Sequence, residues 1–509
     1  MKEMSTGTGK FEAALQIVGE LRAAGYEAYL AGGCVRDLLL GREPSDYDVA
    51  TSATPDVVLA MFPRTFAVGA HFGVVLVQDG GDGVVTEVAT FRSDGAYSDG
   101  RHPDAVRYTL SAEEDVRRRD FTINGLLMDP NQFAQAEFEP SHPSHKNNYV
   151  ARVGHPTVPV RSAQDDEEQP QIPATAGRLS TLKATVAQDD SDLNGGVIDF
   201  VGGVADLEAG VVRAIGRAEE RFEEDHLRML RGVRFAARFG FELEAGTKAA
   251  MRGLAGRISA VSRERVRDEL TKMLTEGRAR RAFELLDETG LLEEVLPEVV
   301  RMKGVEQPAQ YHPEGDVWVH TLGLLGQLEA GCSATLAWGA LLHDVGKPAT
   351  FRRAPDRIRF DGHVDVGVAV GAEILRRFRF SNEETRQILA LIENHMRFAD
   401  AGRMKASTLK RFFRLEGFEE HLALHRMDCL AGSGNLEHWE FVRERWMATP
   451  EEVVRPKPLI TGRELIAAGY APGAGFKEML RAVEDAQLEG TIATEEEAMG
   501  LVRERFGDS

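Results

Sequence analysis

The sequence predicts an α+β protein: a mixed α/β head with a small sheet, followed by a long helical remainder. Three observations lead there. Over the first 130 residues, short apolar runs alternate with helical stretches and Gly-containing turns. From Ala218 onward the apolar spacing becomes helical and stays so almost to the end. Between them, Asn131 to Asn194 lacks periodicity and carries Pro, Ser, Gln and the acidic run Asp165–Glu168, which reads as a disordered insertion.

Taken in order, Phe11 to Gly25 reads as an amphipathic helix closed by a glycine. Tyr26 to Leu30 reads as a short strand, followed by a Gly-Gly turn and a helical stretch to Gly41. Asp46–Ala50, Gly73–Val77 and Val84–Ala89 read as strands, the last two joined by the turn Gly80–Gly83. The helical half is interrupted near Gln307–Asp316, Arg353–Gly362 and Pro450–Pro458. No internal repeat is visible.

The bulk numbers narrow the class. A chain of 509 residues is long enough for about three or four domains. With 43% hydrophobic and 28% charged residues its composition is that of an ordinary globular protein. No apolar run approaches the ~18 residues of a membrane span, and Met1–Lys10 has no apolar signal-peptide core. Cys34, Cys332 and Cys429 lie far apart without metal-ligand spacing, which fits a reducing, cytoplasmic setting. The net charge of −20 argues against a protein that coats nucleic acid, but local basic grooves remain open to it. Arginines do recur between Arg213 and Arg280, among them Arg228, Arg231, Arg234 and Arg238.

The strongest local signal is Gly32-Gly33-Cys34-Val35-Arg36-Asp37, followed by Asp46-Tyr47-Asp48. Residues two apart on a strand share a face, so Asp46 and Asp48 project together. Two carboxylates that close repel unless a cation lies between them. Mg²⁺ suits them, because it takes a few carboxylate oxygens together with phosphate oxygens. A Gly-Gly turn entering a helix lets bare N–H groups approach a triphosphate, and Arg36 offers a bidentate phosphate contact. Glu87, on a predicted strand, stands either as a third carboxylate facing the metals or as an ordinary exposed strand residue.

These pieces resemble the class II family of tRNA CCA-adding enzymes and bacterial poly(A) polymerases. Gly32–Asp37 with Asp46-Tyr47-Asp48 matches the family's first motif, and Arg118-Arg119-Asp120-Phe121-Thr122-Ile123-Asn124 its second. Asp199-Phe200 with Gly202-Gly203 and Asp206-Leu207 matches the third. Glu224-Asp225-His226-Leu227-Arg228-Met229-Leu230-Arg231 matches the fourth. Ser262-Arg263-Glu264-Arg265 with Glu269-Leu270 resembles the fifth.

The resemblance implies a catalytic pair, Asp46 and Asp48, holding two metals, and a nucleotide site of Gly32, Gly33, Arg36, Arg119, Asp120 and Asn124. Asp120 would accept from the ribose 2′-hydroxyl. The resemblance also implies a protein template for the base. Asp225 and Arg228, three apart and therefore on one face if helical, would pair with C or A, with Glu224 orienting Arg228. Arg231 and Arg234 would track RNA phosphates. The implied substrates are CTP, ATP and a tRNA or other RNA 3′ end, with Mg²⁺ as cofactor and no membrane partner. The polar loop Tyr97–Pro103, associated in the family with the final A, is intact and disfavours a CC-only enzyme. CCA addition leads; poly(A) synthesis and A-only addition stay open.

A second signal is Leu341-Leu342-His343-Asp344-Val345-Gly346-Lys347, with His320 upstream and His363, His395 and Asp428 downstream. Such nitrogen and oxygen ligands suit Mn, Fe, Ni or Mg. The pattern resembles the HD phosphohydrolase superfamily. It implies His320, His343, Asp344 and Asp428 as ligands of a divalent transition metal or Mg²⁺, with His363 and His395 serving a second metal or phosphate. His312 has a looser claim. The competing class is therefore a metal-dependent phosphohydrolase whose head only binds RNA. The expected organisation is a nucleotidyltransferase head over 1–130 and 197–217, a disordered insertion over 131–196 and a helical neck over 218–285. An HD domain over 286–450 and a helical tail over 451–509 complete it.

Overall fold

The structure is a computed structural model, and it describes residues 6–66, 73–78, 83–94, 106–130, 196–310 and 312–507. The insertion, the loop Tyr97–Pro103 and most of the turn Gly80–Gly83 lie outside the described residues. The fold is mixed α and β with one small mixed sheet, as the sequence predicts. By chain contacts it forms two compact units, Met1–Arg228 with Gly240–Met251, and Met229–Phe239 with Arg252–Ser509.

The sheet belongs to the first unit. Its strands are β1 (Ala28–Ala31), β2 (Val49–Thr51), β3 (Thr65–Phe66), β4 (Val74–Gln78), β5 (Val85–Thr90), β6 (Leu126–Met128) and β7 (Val197–Asp199). They lie in the order β3-β4-β5-β2-β1-β6-β7. Only β2 and β5 pair parallel; the other neighbours are antiparallel. Central strands β1, β2 and β6 are buried on nearly every residue. Strand β2 begins at Val49 rather than Asp46, so the two aspartates lie on the approach to the strand.

Among the described residues the remainder is helical with three small exceptions, the first an antiparallel pair of Arg92–Asp94 with Val106–Tyr108. Val211–Val212 pairs with Glu242–Leu243, and Arg352–Arg353 pairs with Ile358–Arg359 inside one of the predicted interruptions. In the second unit, Phe398, Phe412, Phe413, Phe418 and Val442 form one apolar core, and Leu465, Tyr470, Val483 and Val502 form another in the tail.

Beside the first of these cores, His421 is 1% exposed and neither ring nitrogen has a hydrogen-bond partner. Burial pushes its pKa down to about 4. The unfolded chain takes up this proton near pH 6.5 and the folded chain does not, so stability is lost as pH falls from 6.5 towards 4. His421→Leu is expected to reduce the loss between pH 7.5 and pH 5 by about 2 kcal/mol. Melting temperatures of both proteins at the two pH values check this; parallel pH dependence would contradict it.

Candidate active site and metal centre

In the first unit the site grows from the end of β1. Gly32 has φ 71°, and a Cβ there would fall 2.9 Å from Arg119 Nη1. The turn therefore requires a glycine, and the arginine lies close over it. The turn opens the helix Gly33–Leu39, whose Arg36 is buried. Arg36 donates to Asp37 at 2.9 Å and to the side-chain oxygen of Asn124 at 2.5 Å. Asn124 in turn donates to Asp120 Oδ1 at 3.0 Å, which also accepts from the Phe121 N–H at 2.8 Å. Asn124 thus joins the Gly-Gly turn to the Arg119-Asp120 turn, and its amide serves mainly as a brace.

The third motif supports the second. Asp199 Oδ1 accepts from the N–H groups of Val201, Gly202 and Gly203, fixing that turn. Asp206 accepts from Thr122 Oγ1 at 2.7 Å. Neither aspartate is left to meet a nucleotide; both hold the frame.

The carboxylates cluster on the register of β2 and β5. Val49 pairs with Val88 in parallel, so Asp48 and Glu87 immediately precede paired residues. Burial, the charge of Glu87 and the charge of Asp46 push the Asp48 pKa up to about 6. Burial and Asp46 also raise Glu87. Such mutual elevation is the response of neighbouring like charges. Asp46 is the open member, with its side chain 72% exposed and Lys10 Nζ 3.3 Å away. The three do not form one of the groups, among the described residues, whose ligand atoms all lie within 4.8 Å of one another.

The Glu224-Asp225-x-x-Arg228 element departs from a single helical face. One helix ends at Glu224, Asp225 is extended (φ −144°, ψ 106°), and the next helix starts at Leu227. The break arises because Asp225 Oδ1 accepts from the Leu227 N–H at 3.0 Å, tying down the new helix start. Arg228 reaches back, donating to Glu224 Oε2 at 2.5 Å and to the Arg118 carbonyl at 3.3 Å.

In the second unit six predicted residues meet. His320 lies in the helix Val317–Leu325, His343 ends the helix Ala334–Leu342, and His363 starts the helix His363–Arg377. His395 follows the helix Asn382–Asn394, and Asp428 lies in the helix Phe418–Ala431. Gly346 lets the elements close: a Cβ there would sit 2.1 Å from the His363 carbonyl oxygen.

The histidine tautomers are set by what Nδ1 meets. His343, His363 and His395 place Nδ1 at 2.9, 2.9 and 2.7 Å from the carbonyls of Ala340, Phe360 and Ile392. A carbonyl can only accept, so Nδ1 carries the proton and Nε2 carries the lone pair. His320 Nδ1 likewise meets the Glu314 carboxylate at 2.6 Å. All four Nε2 atoms point at the two aspartates. His320 Nε2 is 3.0 Å from Asp428, and His343 Nε2 is 3.1 Å from Asp344 Oδ2. His363 and His395 Nε2 are 3.8 and 3.7 Å from Asp344 Oδ1.

Asp344 therefore turns one oxygen to each pair of histidines. His343 Nε2 and both Asp344 oxygens are buried, and no donor meets them at hydrogen-bond angles, although Lys347 Nζ is 2.7 Å from Oδ2. Crowded, buried lone pairs without hydrogen bonds fit a pair of divalent cations. Burial pushes His395 down to about 4, and it works against charge on His320 too, but the Asp428 and Glu314 hydrogen bonds raise that ring to about 9. A cavity of about 540 Å³ opens over the centre, with Lys347 and Arg359 in its wall.

Comparison with known proteins gives the family. Residues 28–138 match the poly A polymerase head domain, 240–302 the probable RNA and SrmB-binding site of polymerase A, and 366–501 a putative tRNA nucleotidyltransferase domain 2. The CCA-adding enzyme of Geobacillus kaustophilus (strain HTA426) is 30% identical over 493 residues, 96% of this chain and 95% of the relative. The chain belongs to the CCA-adding enzyme family. The CCA-adding enzyme of Geobacillus thermodenitrificans is 37% identical over 281 residues; that match spans 55% of this chain and about half, 54%, of the relative. The crystal structure of the Bacillus stearothermophilus CCA-adding enzyme in complex with CTP has 27% identity and a TM-score of 0.65, covering 97% of both chains. CCA-adding enzymes are nucleotidyltransferases that generally use divalent metals.

Two residues of these sites, Asp115 and Glu314, lie outside the motifs visible in the sequence. Asp115 is buried and holds Arg118 at 2.6 Å and Arg119 at 3.0 Å. Its spacing of three and four from those arginines was the available signal. Glu314 gave no signal, because its role depends on a loop folding back onto His320. Arg231 is half-buried over the Phe235 ring, whereas Arg234 is buried and ion-paired to Glu269 at 2.7 Å and Glu276 at 3.3 Å. Arg234 braces helices here, its guanidinium taken by two carboxylates.

Proposed function

We propose that this CCA-adding enzyme completes tRNA 3′ ends, adding C, C and A from CTP and ATP with Mg²⁺. The observation that carries the reading is the Asp46, Asp48 and Glu87 cluster beside the Gly32-Gly33 turn, in a chain aligned with a CCA-adding enzyme over nearly its whole length. When bound, Mg²⁺ supplies charge neutralisation for the triphosphate and lowers the pKa of the RNA 3′-hydroxyl. Asp46 and Asp48 hold it, with Glu87 as a third carboxylate. Gly32, Gly33, Arg36 and Arg119 receive the phosphates, Asp120 and Asn124 the sugar, and Asp225 with Arg228 the base. Arg231 contacts RNA phosphate. The division proposed is a head over 1–130 and 197–217, a neck over 218–285, an HD domain over 286–450 and a tail over 451–509. A cytoplasmic setting fits three free cysteines and the absence, among the described residues, of any helix long and apolar enough to cross a membrane.

A second activity is favoured by the histidine centre. Its buried ligands and cationic cavity wall support a metal-dependent phosphohydrolase acting on phosphate esters, with Mg²⁺ or a transition metal held by His320, His343, Asp344 and Asp428, and a second by Asp344, His363 and His395. The test of the main reading is incubation of the purified chain with tRNA lacking its 3′ end, Mg²⁺, and labelled CTP and ATP singly and together. Addition of C, C and one A, then arrest, is expected. Long A tracts would reassign the chain to poly(A) synthesis, and no incorporation would overturn the reading.

A further inference from the structure

The residue that aims Arg228 is the most informative one left outside the site described above. Arg228 is only 12% exposed, and its Nη1 is taken by Glu224 Oε2 and by the Arg221 carbonyl at 3.1 Å. Its Nη2 donates one hydrogen to the Arg118 carbonyl. Among the described residues its Nε–H and second Nη2–H make no hydrogen bond. That edge is a two-donor fork. A fork of this kind matches the adjacent N3 and O2 acceptors of cytosine, while uracil presents an N3–H that would meet it donor to donor.

The direction of the fork depends on Arg221. Its Nη1 donates to the same Glu224 Oε2 at 2.9 Å and to the same Arg118 carbonyl at 3.0 Å, and its Nε donates to the Ile215 carbonyl at 3.3 Å. Two guanidinium groups thus share one carboxylate and one carbonyl. Glu224 is fixed from both sides, and through it Arg228 has one orientation. The carbonyl they share belongs to Arg118, whose neighbours Arg119 and Asp120 form the sugar turn. Base edge and sugar turn are therefore tied by a few hydrogen bonds across about a hundred residues of sequence.

We infer that Arg221 is a specificity-determining positioning residue: by locking Glu224 and the Arg118 carbonyl it holds the Arg228 fork in the register that accepts cytosine and rejects uracil. The inference rests on the proposed nucleotide addition and on the base-reading role of Arg228. Without Arg221, Glu224 would retain one partner and Arg228 could rotate onto new acceptors.

The experiment measures kcat/KM for CTP and for UTP with tRNA lacking its 3′ end, in wild type, Arg221→Ala and Arg221→Lys. The expected result is a C-over-U discrimination about tenfold lower in Arg221→Ala, with partial recovery in Arg221→Lys, which keeps a cation against Glu224. Equal losses for both nucleotides, or discrimination within twofold of wild type, would overturn the inference. Arg221→Gln, which keeps the stem and a donor, replaces Arg221→Ala if that variant melts early, with the same expected ratio. Wild type without incorporation would instead sink the functional reading, so the two failures are distinguishable.

Discussion

Asp48→Asn is expected to lower nucleotide addition by at least about a thousandfold and, in metal-free protein, to raise the melting temperature. The two effects share a cause. Burial, Glu87 and Asp46 raise the Asp48 pKa from 3.8 to about 6. An acid whose folded pKa is raised stabilises the fold below its unfolded pKa, and that contribution disappears as pH rises through about 6. At pH 7.5 the ionised carboxylate therefore costs on the order of 2–3 kcal/mol. Asparagine removes the charge and keeps the volume. A gain of a few degrees should appear in thermal melts at pH 7.5 without divalent cation. Mg²⁺ should raise the melting temperature of wild type at pH 7.5 and do so less at pH 5.5, where protons compete for the carboxylate. It should do little to Asp48→Asn at either pH. Retained addition by the variant, or a variant that melts lower than wild type in the absence of metal, would remove Asp48 from the metal-holding role. This pattern is the usual trade between stability and a functional cluster of like charges.

How much of this could be read beforehand varied with the range of the interaction. Asp46 and Asp48 are two apart, so their common side follows from any extended backbone, even though the strand proper starts one residue later. Glu87 stayed ambiguous because its place depends on β2 and β5 pairing in parallel, a register that no local pattern sets. The bridge from Arg36 through Asn124 to Asp120 spans 88 residues in its first step and has no local signature. Arg234 shows the opposite failure. In sequence it is one of a run of arginines, but Glu269 and Glu276, more than thirty residues away, take its guanidinium inside the helix packing. Asp225 and Arg228 illustrate a third case: spacing suggests one face only while the helix continues, and the Asp225 side chain ends that continuity by capping the next helix. The histidine centre was legible in ligand identity but not in arrangement. Which nitrogen carries each proton follows from the carbonyls of Ala340, Phe360 and Ile392, and the sequence is silent on these.

The histidine centre gives the other large effect. Asp344→Asn is expected to abolish tight metal binding at both histidine pairs, while nucleotide addition stays within about twofold of wild type. The argument is geometric. Asp344 Oδ2 lies 3.1 Å from His343 Nε2, and Oδ1 lies 3.8 and 3.7 Å from His363 and His395 Nε2. One carboxylate thus serves both groups, and its charge-neutral amide would weaken both at once. His363→Ala, by contrast, removes a ligand from one group only and leaves His320, His343 and Asp428 together. Loss of a single ligand or of its supporting hydrogen bond typically costs about 10–100-fold in affinity. Metal content after loading with Mn²⁺ or Ni²⁺ and desalting, measured by elemental mass spectrometry, should fall to background in Asp344→Asn and to about half in His363→Ala. Asparagine is preferred to alanine because Lys347 Nζ sits 2.7 Å from Asp344 Oδ2 in a buried place, and a void there would leave that cation with Gln307 Oε1 alone. Equal metal content in Asp344→Asn and wild type would show that the cluster is an ionic brace rather than a metal centre. Loss of nucleotide addition in a folded Asp344→Asn would show that the two sites do not act separately, since no ligand of the histidine centre belongs to the unit that carries Asp46 and Asp48.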